Sequence, residues 1–199
     1  MSKKQHFDRQ KVLTWLEKNV SKARINHILG VEATCIDLAK RYDISTKKAA
    51  KAGLLHDLAK FFPPDKLLKM ARQSSIEIDA ICQQHPHLLH AEVSSIVANQ
   101  EFGVTNPSIL KAIGNHTLGN PEMSPLSCIL YVADTIEPTR GDTAELARLR
   151  KIAGEDIYHA VWQTSDYVLA HLIKHYRLIH PRTILTRNWA LQTTKKIKS

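Results

Sequence analysis

The chain is short of cysteine, aromatic residues, glycine and long apolar runs, and each shortage narrows what it can be. Its three cysteines, Cys35, Cys82 and Cys128, are far apart, form no CxxC pair and leave one over from any single bridge. They read as reduced core thiols, which suits a reducing compartment. No window approaches the roughly 18 uncharged apolar residues of a membrane span, and the opening MSKKQHFDRQK lacks the apolar stretch of a signal peptide. The expected setting is the cytoplasm, with no membrane as partner. Aromatic residues are 6% of the chain, and the lysines are dispersed rather than gathered on one aromatic-studded helix face. That argues against a nucleic-acid-binding module. Negative charge is also the minority: 19 acidic residues against 28 lysines and arginines leave a net charge of +9. Such a surplus favours an anionic partner, and among these a phosphorylated small molecule fits as well as a polymer does.

What is present is helical periodicity. A length of 199 residues suits one helical domain better than two small ones. Apolar residues recur at helical spacing in Val12, Leu13, Leu16 and Val20, and again in Ile28, Val31, Cys35, Leu38 and Ala39. Alternating strand patterns are absent, so the expected fold class is all-α. The pattern predicts a third helix over about 46–60, stopped by Pro63-Pro64, and a short one from Pro64 to Arg72. Further helices are expected over about 91–101, 107–114 and 125–137, the last halted before Pro138. Loops fall at HTLGNPEMSP and PTRGDT, a long pattern covers roughly 155–178, and a final helix starts near Pro181. The ending KKIKS reads as a frayed, solvated tail.

Two polar residues interrupt this apolar material in a telling place. His56 and Asp57 lie within AAKAGLLHDLAKFF, where the flanks argue for burial. An unpaired buried carboxylate costs several kcal/mol, at about that order, unless a cation or strong donors offset it. A metal ion satisfies both residues, since on a helix their directions differ by about 100° and converge only on something placed between them. Lys60, four residues after His56, would share its face and could hold phosphate oxygens, and Gly53, one turn earlier, would let another helix or a ligand approach. The bland alternative is an Asp57–Lys60 ion pair beside a core histidine. Asp134, in CILYVADTIEP, is a second carboxylate after an apolar run with no cation within a helical turn. His27, His90 and His116 each abut an apolar run or a helix end. Together with His56, Asp57 and Asp134 they form a nitrogen and oxygen set without thiolate, suited to iron, manganese, zinc or nickel.

The order His27, His56-Asp57, His90, His116, Asp134 resembles the HD superfamily of metal-dependent phosphohydrolases. The longer stretches INHILGVEATCIDLA, AGLLHDLAK, LLHAEV, AIGNHTLG, ILYVADTIEPTR and RLIHPRT look like the bacterial YqeK-type family, whose members split diadenosine tetraphosphate symmetrically into two ADP. The resemblance implies a single HD-type helical bundle over 1–199, with a metal and nucleotide core over about 20–185. A helix over 7–19 and a helix and tail over 182–199 would pack on or flank that core. It implies His27, His56, Asp57 and Asp134 as metal ligands, with iron as the family metal, one or two ions, and manganese, zinc, nickel or cobalt as substitutes. His90 and His116 would hold a second metal or touch phosphates, and Asp57 would bridge if two ions bind. The nucleophile would be a metal-bound hydroxide, with Asp57, Lys60 and Arg140 as catalytic residues. Lys60 and Arg140 would neutralise the charge that develops as ADP departs. Leu58, Ala59, Lys60, Thr117, Arg140, Arg177, Ile179, His180 and Thr183 would contact the substrate, the last four from a helix break that closes over the nucleotide. The family pattern has glycine or lysine before the arginine of that break, where this chain has Tyr176.

Two other functions share part of these features. A related enzyme could act on a nucleoside triphosphate, a nucleotide monophosphate or a cyclic dinucleotide, and a basic helical module could bind nucleic acid around a structural metal. The oligomeric state is left open by the sequence, a homodimer included.

Overall fold

In a computed structural model that describes residues 7–198, with side chains to residue 195, local sequence signals decide where helices begin. Side chains that accept backbone N–H groups start α1 (Arg9–Asn19, capped by Asp8), α2 (Lys22–Arg41, Ser21) and α3 (Thr46–Leu55, Ser45). Proline opens α4 (Pro64–Gln73), and Asp79 caps the short α5 (Ala80–Gln84). A 3-10 turn over Pro86–Leu89 leads into α6 (His90–Phe102), which ends on the left-handed Gly103. Proline again stands at the start of α7 (Pro107–Asn115) and α8 (Pro125–Ile136). Thr143 and Asp156 cap α9 (Ala144–Glu155) and α10 (Ile157–Lys174), and α11 covers Pro181–Lys198. Among the described residues there is no strand.

The helices form one all-α bundle around a continuous apolar core. α8 is its axis: Leu126, Cys128, Ile129, Leu130, Val132 and Ala133 are all buried, leaving almost no solvated face. α2, α3 and α7 pack around it, with α6 beyond α7 and with α10 and α11 closing the opposite flank. α2 and α3 pack backbone against backbone at Gly53. A Cβ there would lie 2.7 Å from the Glu32 Cα and 3.0 Å from its nitrogen, so the absence of a side chain sets the spacing of these helices.

Several expected boundaries move. The helix predicted over 46–60 stops at Leu55, and residues 56–61 form turns, with Lys60 N–H donating to Asp57 O at 3.1 Å. The apolar pattern runs on because Leu58 and Ala59 are core residues of a buried turn. The long pattern over 155–178 is α10, which starts after Asp156, whose side chain accepts the His159 N–H, and ends at Lys174; α9 before it is a helix with no counterpart among the expected ones. α5 carried too few apolar residues to register. The KKIKS tail continues α11 as far as Lys198 rather than fraying, and Ser199 lies outside the described residues.

Candidate metal centre

Four histidines and two aspartates from five parts of the chain converge beneath a cleft. His27 comes from α2, His56-Asp57 from the turn after α3, His90 from the first residue of α6, His116 from the C-cap of α7 and Asp134 from α8. Each imidazole is held by its Nδ1. His56 Nδ1 donates to Gly53 O, His90 Nδ1 to His87 O and His116 Nδ1 to Ile113 O, each at 2.7 Å. His27 Nδ1 donates to Glu137 Oε1 at 2.9 Å. A carbonyl oxygen only accepts, so Nδ1 carries the proton and Nε2 presents its lone pair to the centre.

The two oxygens of Asp57 face different histidine pairs. Oδ2 lies 3.5 Å from His56 Nε2 and 4.0 Å from His27 Nε2, while Oδ1 lies 3.3 Å from His90 Nε2 and 3.6 Å from His116 Nε2. Asp134 Oδ1 stands 3.0 Å from His27 Nε2 and 3.8 Å from His56 Nε2. Ligand atoms of His27, His56 and Asp134 all fall within 4.8 Å of one another, as do those of His56, Asp57 and His116. Yet His27 Nε2, His56 Nε2 and Asp57 Oδ1 are buried without a hydrogen-bond partner. Lone pairs turned toward carboxylates repel, and a divalent cation among them fits this donor set.

Electrostatics sharpen the same picture. Burial pushes the His56 pKa down to about 4, against the partial pull of Asp57, so the ring is neutral near pH 7. Burial also lowers His90. Burial opposes ionisation of Asp57 and Asp134, but positive charge on the surrounding imidazoles would outweigh it and hold both carboxyls well below the usual range; with His56 neutral, a bound cation would fill that role. Fixed cations stand on the carboxylates: Arg24 Nη1 donates to Asp57 Oδ2, and Arg140 Nη2 to Asp134 Oδ1, both at 2.9 Å. Asp57 therefore pairs with Arg24 on α2 and not with Lys60, whose Nζ lies 3.2 Å from His90 Nε2.

The cleft above the centre has a volume of about 330 Å³ and is lined by Lys60, His90, His116, Thr117, Asp134 and Arg140, among others. Thr117, Val168 and His171 also line a second cavity of about 440 Å³, whose other walls include Arg177, His180 and Thr183. Thr117 Oγ1 is 3.0 Å from His90 Nε2. Other expected contacts fall elsewhere. The Leu58 and Ala59 side chains belong to the core, and the Ala59 N–H donates to Ser94 Oγ at 3.0 Å. Ile179 is half-buried and lines neither cavity. His180 has both ring nitrogens engaged: Nε2 meets Asp79 Oδ2 at 2.6 Å, and Nδ1 accepts the Arg182 N–H at 3.1 Å. It pins the start of α11 to the cap of α5. Tyr176 occupies the place where the family pattern has glycine or lysine, with φ of 52°, and this left-handed backbone explains why glycine suits the position.

Two participants escaped sequence reasoning. Arg24 looks like a solvated residue in the first turn of a helix. Glu137 looks like a polar helix end, although it is fully buried and also accepts the Thr139 N–H. Its signal was Gly30, one turn after His27, where a Cβ would collide with the Glu137 carboxylate.

Comparison with known proteins gives a consistent set of likenesses. The family model described as HD domain matches residues 24–139. The chain is 34% identical over 183 residues to the symmetrical bis(5'-nucleosyl)-tetraphosphatase of Bacillus subtilis, covering 92% of this chain and 97% of that protein. It is 32% identical to the enzyme of the same name from Halalkalibacterium halodurans, covering 95% and 100%. Among solved structures, a predicted HD superfamily hydrolase involved in NAD metabolism from Clostridium acetobutylicum superposes with a TM-score of 0.89 at 34% identity, over 94% of this chain and 98% of that one.

Proposed function

The chain belongs to the HD-domain family, and on that premise we propose that it is a metal-dependent phosphohydrolase that cleaves diadenosine tetraphosphate symmetrically into two ADP. The observation that carries the metal is the convergence of the orphaned His27 Nε2, His56 Nε2 and Asp57 Oδ1 beneath an open cleft. His27, His56, Asp57 and Asp134 hold the ion; His90 and His116 face the second oxygen of Asp57, placed for a second ion or for phosphate. Iron is the proposed metal, with manganese, zinc, nickel or cobalt able to fill the same nitrogen and oxygen set. When bound, the ion supplies Lewis-acid chemistry, lowering the pKa of ligated water and polarising a phosphoryl oxygen.

The protein's own part is to bind, orient and neutralise. Lys60 and Arg140 both line the cleft, beside His90 and Asp134 respectively, and meet the charge that gathers on the leaving ADP. The Arg140 fork also steadies Asp134, because its Nε donates to the Asp134 carbonyl at 2.9 Å while Nη2 takes the carboxylate. Thr117 offers a hydroxyl at the junction of the two cavities. Arg177 and Thr183 are placed for one nucleotide half in the larger cavity, with His180 positioning that wall. The chain acts as one HD domain in the cytoplasm; no helix among the described residues is long and apolar enough to cross a membrane.

The test is metal analysis of protein purified without chelator, followed by chromatography of the products from a nucleotide panel. A bound transition metal and ADP as the sole adenine product from diadenosine tetraphosphate are expected. AMP plus ATP, or no cleavage of this substrate, would overturn the assignment.

A further inference from the structure

A substrate with two nucleosides, cut at its midpoint, extends a nucleoside and two phosphates to each side of the reacting centre. The cavity lined by Arg177 and Thr183 meets the cleft at Thr117, Val168 and His171, which line both. A smaller cavity of about 200 Å³ shares Arg140 with the cleft and no lining residue with the Arg177 cavity; its walls include Arg24, Phe61, His27 and Thr139. Phe61 is the large apolar side chain there, and it is 54% exposed. Its neighbour Phe62 turns inward against Trp15, with ring centroids 6.4 Å apart. Phe61 instead stays in the cavity wall one residue from Lys60, with the Arg24 guanidinium 5.8 Å from its ring centroid.

We propose that Phe61 is the stacking platform for the second nucleobase, so that the chain reads both ends of its substrate; the inference rests on the dinucleotide reading above. The charges agree with that occupant. Arg24 and Arg140 line this cavity with Phe61 and pair with the metal-site carboxylates Asp57 and Asp134, so the phosphates of the distal half would meet them on the way to the ring, and a guanidinium takes phosphate oxygens in its planar fork. An aromatic ring beyond them offers a π-face that any base can use, which gives affinity for a second nucleoside without a hydrogen-bond code. A substrate ending in a bare phosphate gains nothing from the ring. Phe61 therefore sets the preference for dinucleosides over mononucleoside polyphosphates.

The experiment compares kcat/KM for diadenosine tetraphosphate and for adenosine 5'-tetraphosphate, which has the same phosphate chain and one nucleoside. In Phe61→Ala and Phe61→Leu, the preference for the dinucleoside should fall roughly 5- to 100-fold, mainly through KM, the range expected for loss of one base–aromatic stack. Phe61→Tyr should keep the wild-type preference, and bound-metal content should match wild type in all three. If wild type cleaves diadenosine tetraphosphate and the ratio in Phe61→Leu stays within about 2-fold of it, this inference alone is wrong. If wild type does not cleave that substrate, the dinucleotide reading fails and takes the inference with it.

Discussion

The carboxylate of Glu137 accepts from His27 Nδ1 at 2.9 Å across 110 residues of sequence, and Glu137 is 0% exposed. It fixes which nitrogen of His27 faces the centre. Glu137→Gln keeps the shape and can still accept from Nδ1, but it loses the negative charge. Metal affinity, measured by competition with a chelator of known strength, should drop about 10- to 100-fold.

Asp57 offers one oxygen to each histidine pair, so Asp57→Ala should lose both metal and turnover. Lys60→Ala should keep its metal and lose activity through weaker phosphate binding or slower chemistry. Elemental analysis beside steady-state kinetics separates these outcomes. Full metal content with full activity in Asp57→Ala would remove the carboxylate from the centre.

Gly53→Ala should destabilise the fold and disturb the site together. The added methyl would press on the backbone of Glu32 and on Val31 O at 3.2 Å, with no flexible side chain to yield. Overpacking of this kind costs about 1–3 kcal/mol, and each kcal/mol lowers the Tm by about 2–4 °C in a chain of this size. Because the Gly53 carbonyl also aims His56, metal occupancy should fall in the same variant. A melt unchanged within about 1 °C would show that α2 and α3 separate without penalty.

Chelator-treated protein should lose stability as the pH falls below about 6.5, ahead of ordinary carboxylate titration. In the unfolded chain His56 takes up a proton near its usual pKa of about 6.5, whereas burial keeps the folded ring neutral until about 4. Between those values the unfolded state binds more protons, so acid favours it. His90 shifts in the same direction. The His56 contribution is on the order of 3 kcal/mol. Urea unfolding at pH 7.5 and pH 5, for wild type and His56→Asn, checks the slope; equal pH dependence in both would assign it to other groups.

The three thiols should be silent toward a disulfide reagent in the native protein at pH 8. Cys35, Cys82 and Cys128 are buried, and burial raises all three pKa values, Cys82 to about 12. With almost no thiolate present, reaction should await unfolding. A thiol titrating within seconds before denaturant is added would show that one of these pockets opens readily.

Helix starts were legible where chemistry is local. Pro64, Pro107 and Pro125 each stand in the first turn of a helix, and Pro181 opens α11. Helix ends hidden in apolar sequence were not. Nothing in the periodicity of GLLHDLAKFF distinguishes a continuing helix from a buried turn, because Leu58 and Ala59 reach the core either way. α9 was not legible at all, because AELARLRKIAGE carries few large apolar residues and its cap Thr143 looks the same as polar surface until its partner is known. The six candidate ligand residues could be gathered from their apolar surroundings and from resemblance. Arg24 and Glu137 could not, since a cation on α2 and a carboxylate at the end of α8 acquire meaning only when folding sets them beside Asp57 and His27.

Three of the four imidazoles are aimed by one short device, a ring nitrogen donating to the carbonyl of the residue three places earlier. The acceptors belong to Gly53, His87 and Ile113, which share no side-chain chemistry, so the instruction is written in backbone. Drift at His87 and Ile113 can leave those bearings intact so long as the local turn survives, whereas the backbone of Glu32 holds position 53 to glycine. His27 alone takes its bearing from a side chain far along the chain. Of the four, it is the one whose aim requires two distant positions to change in concert.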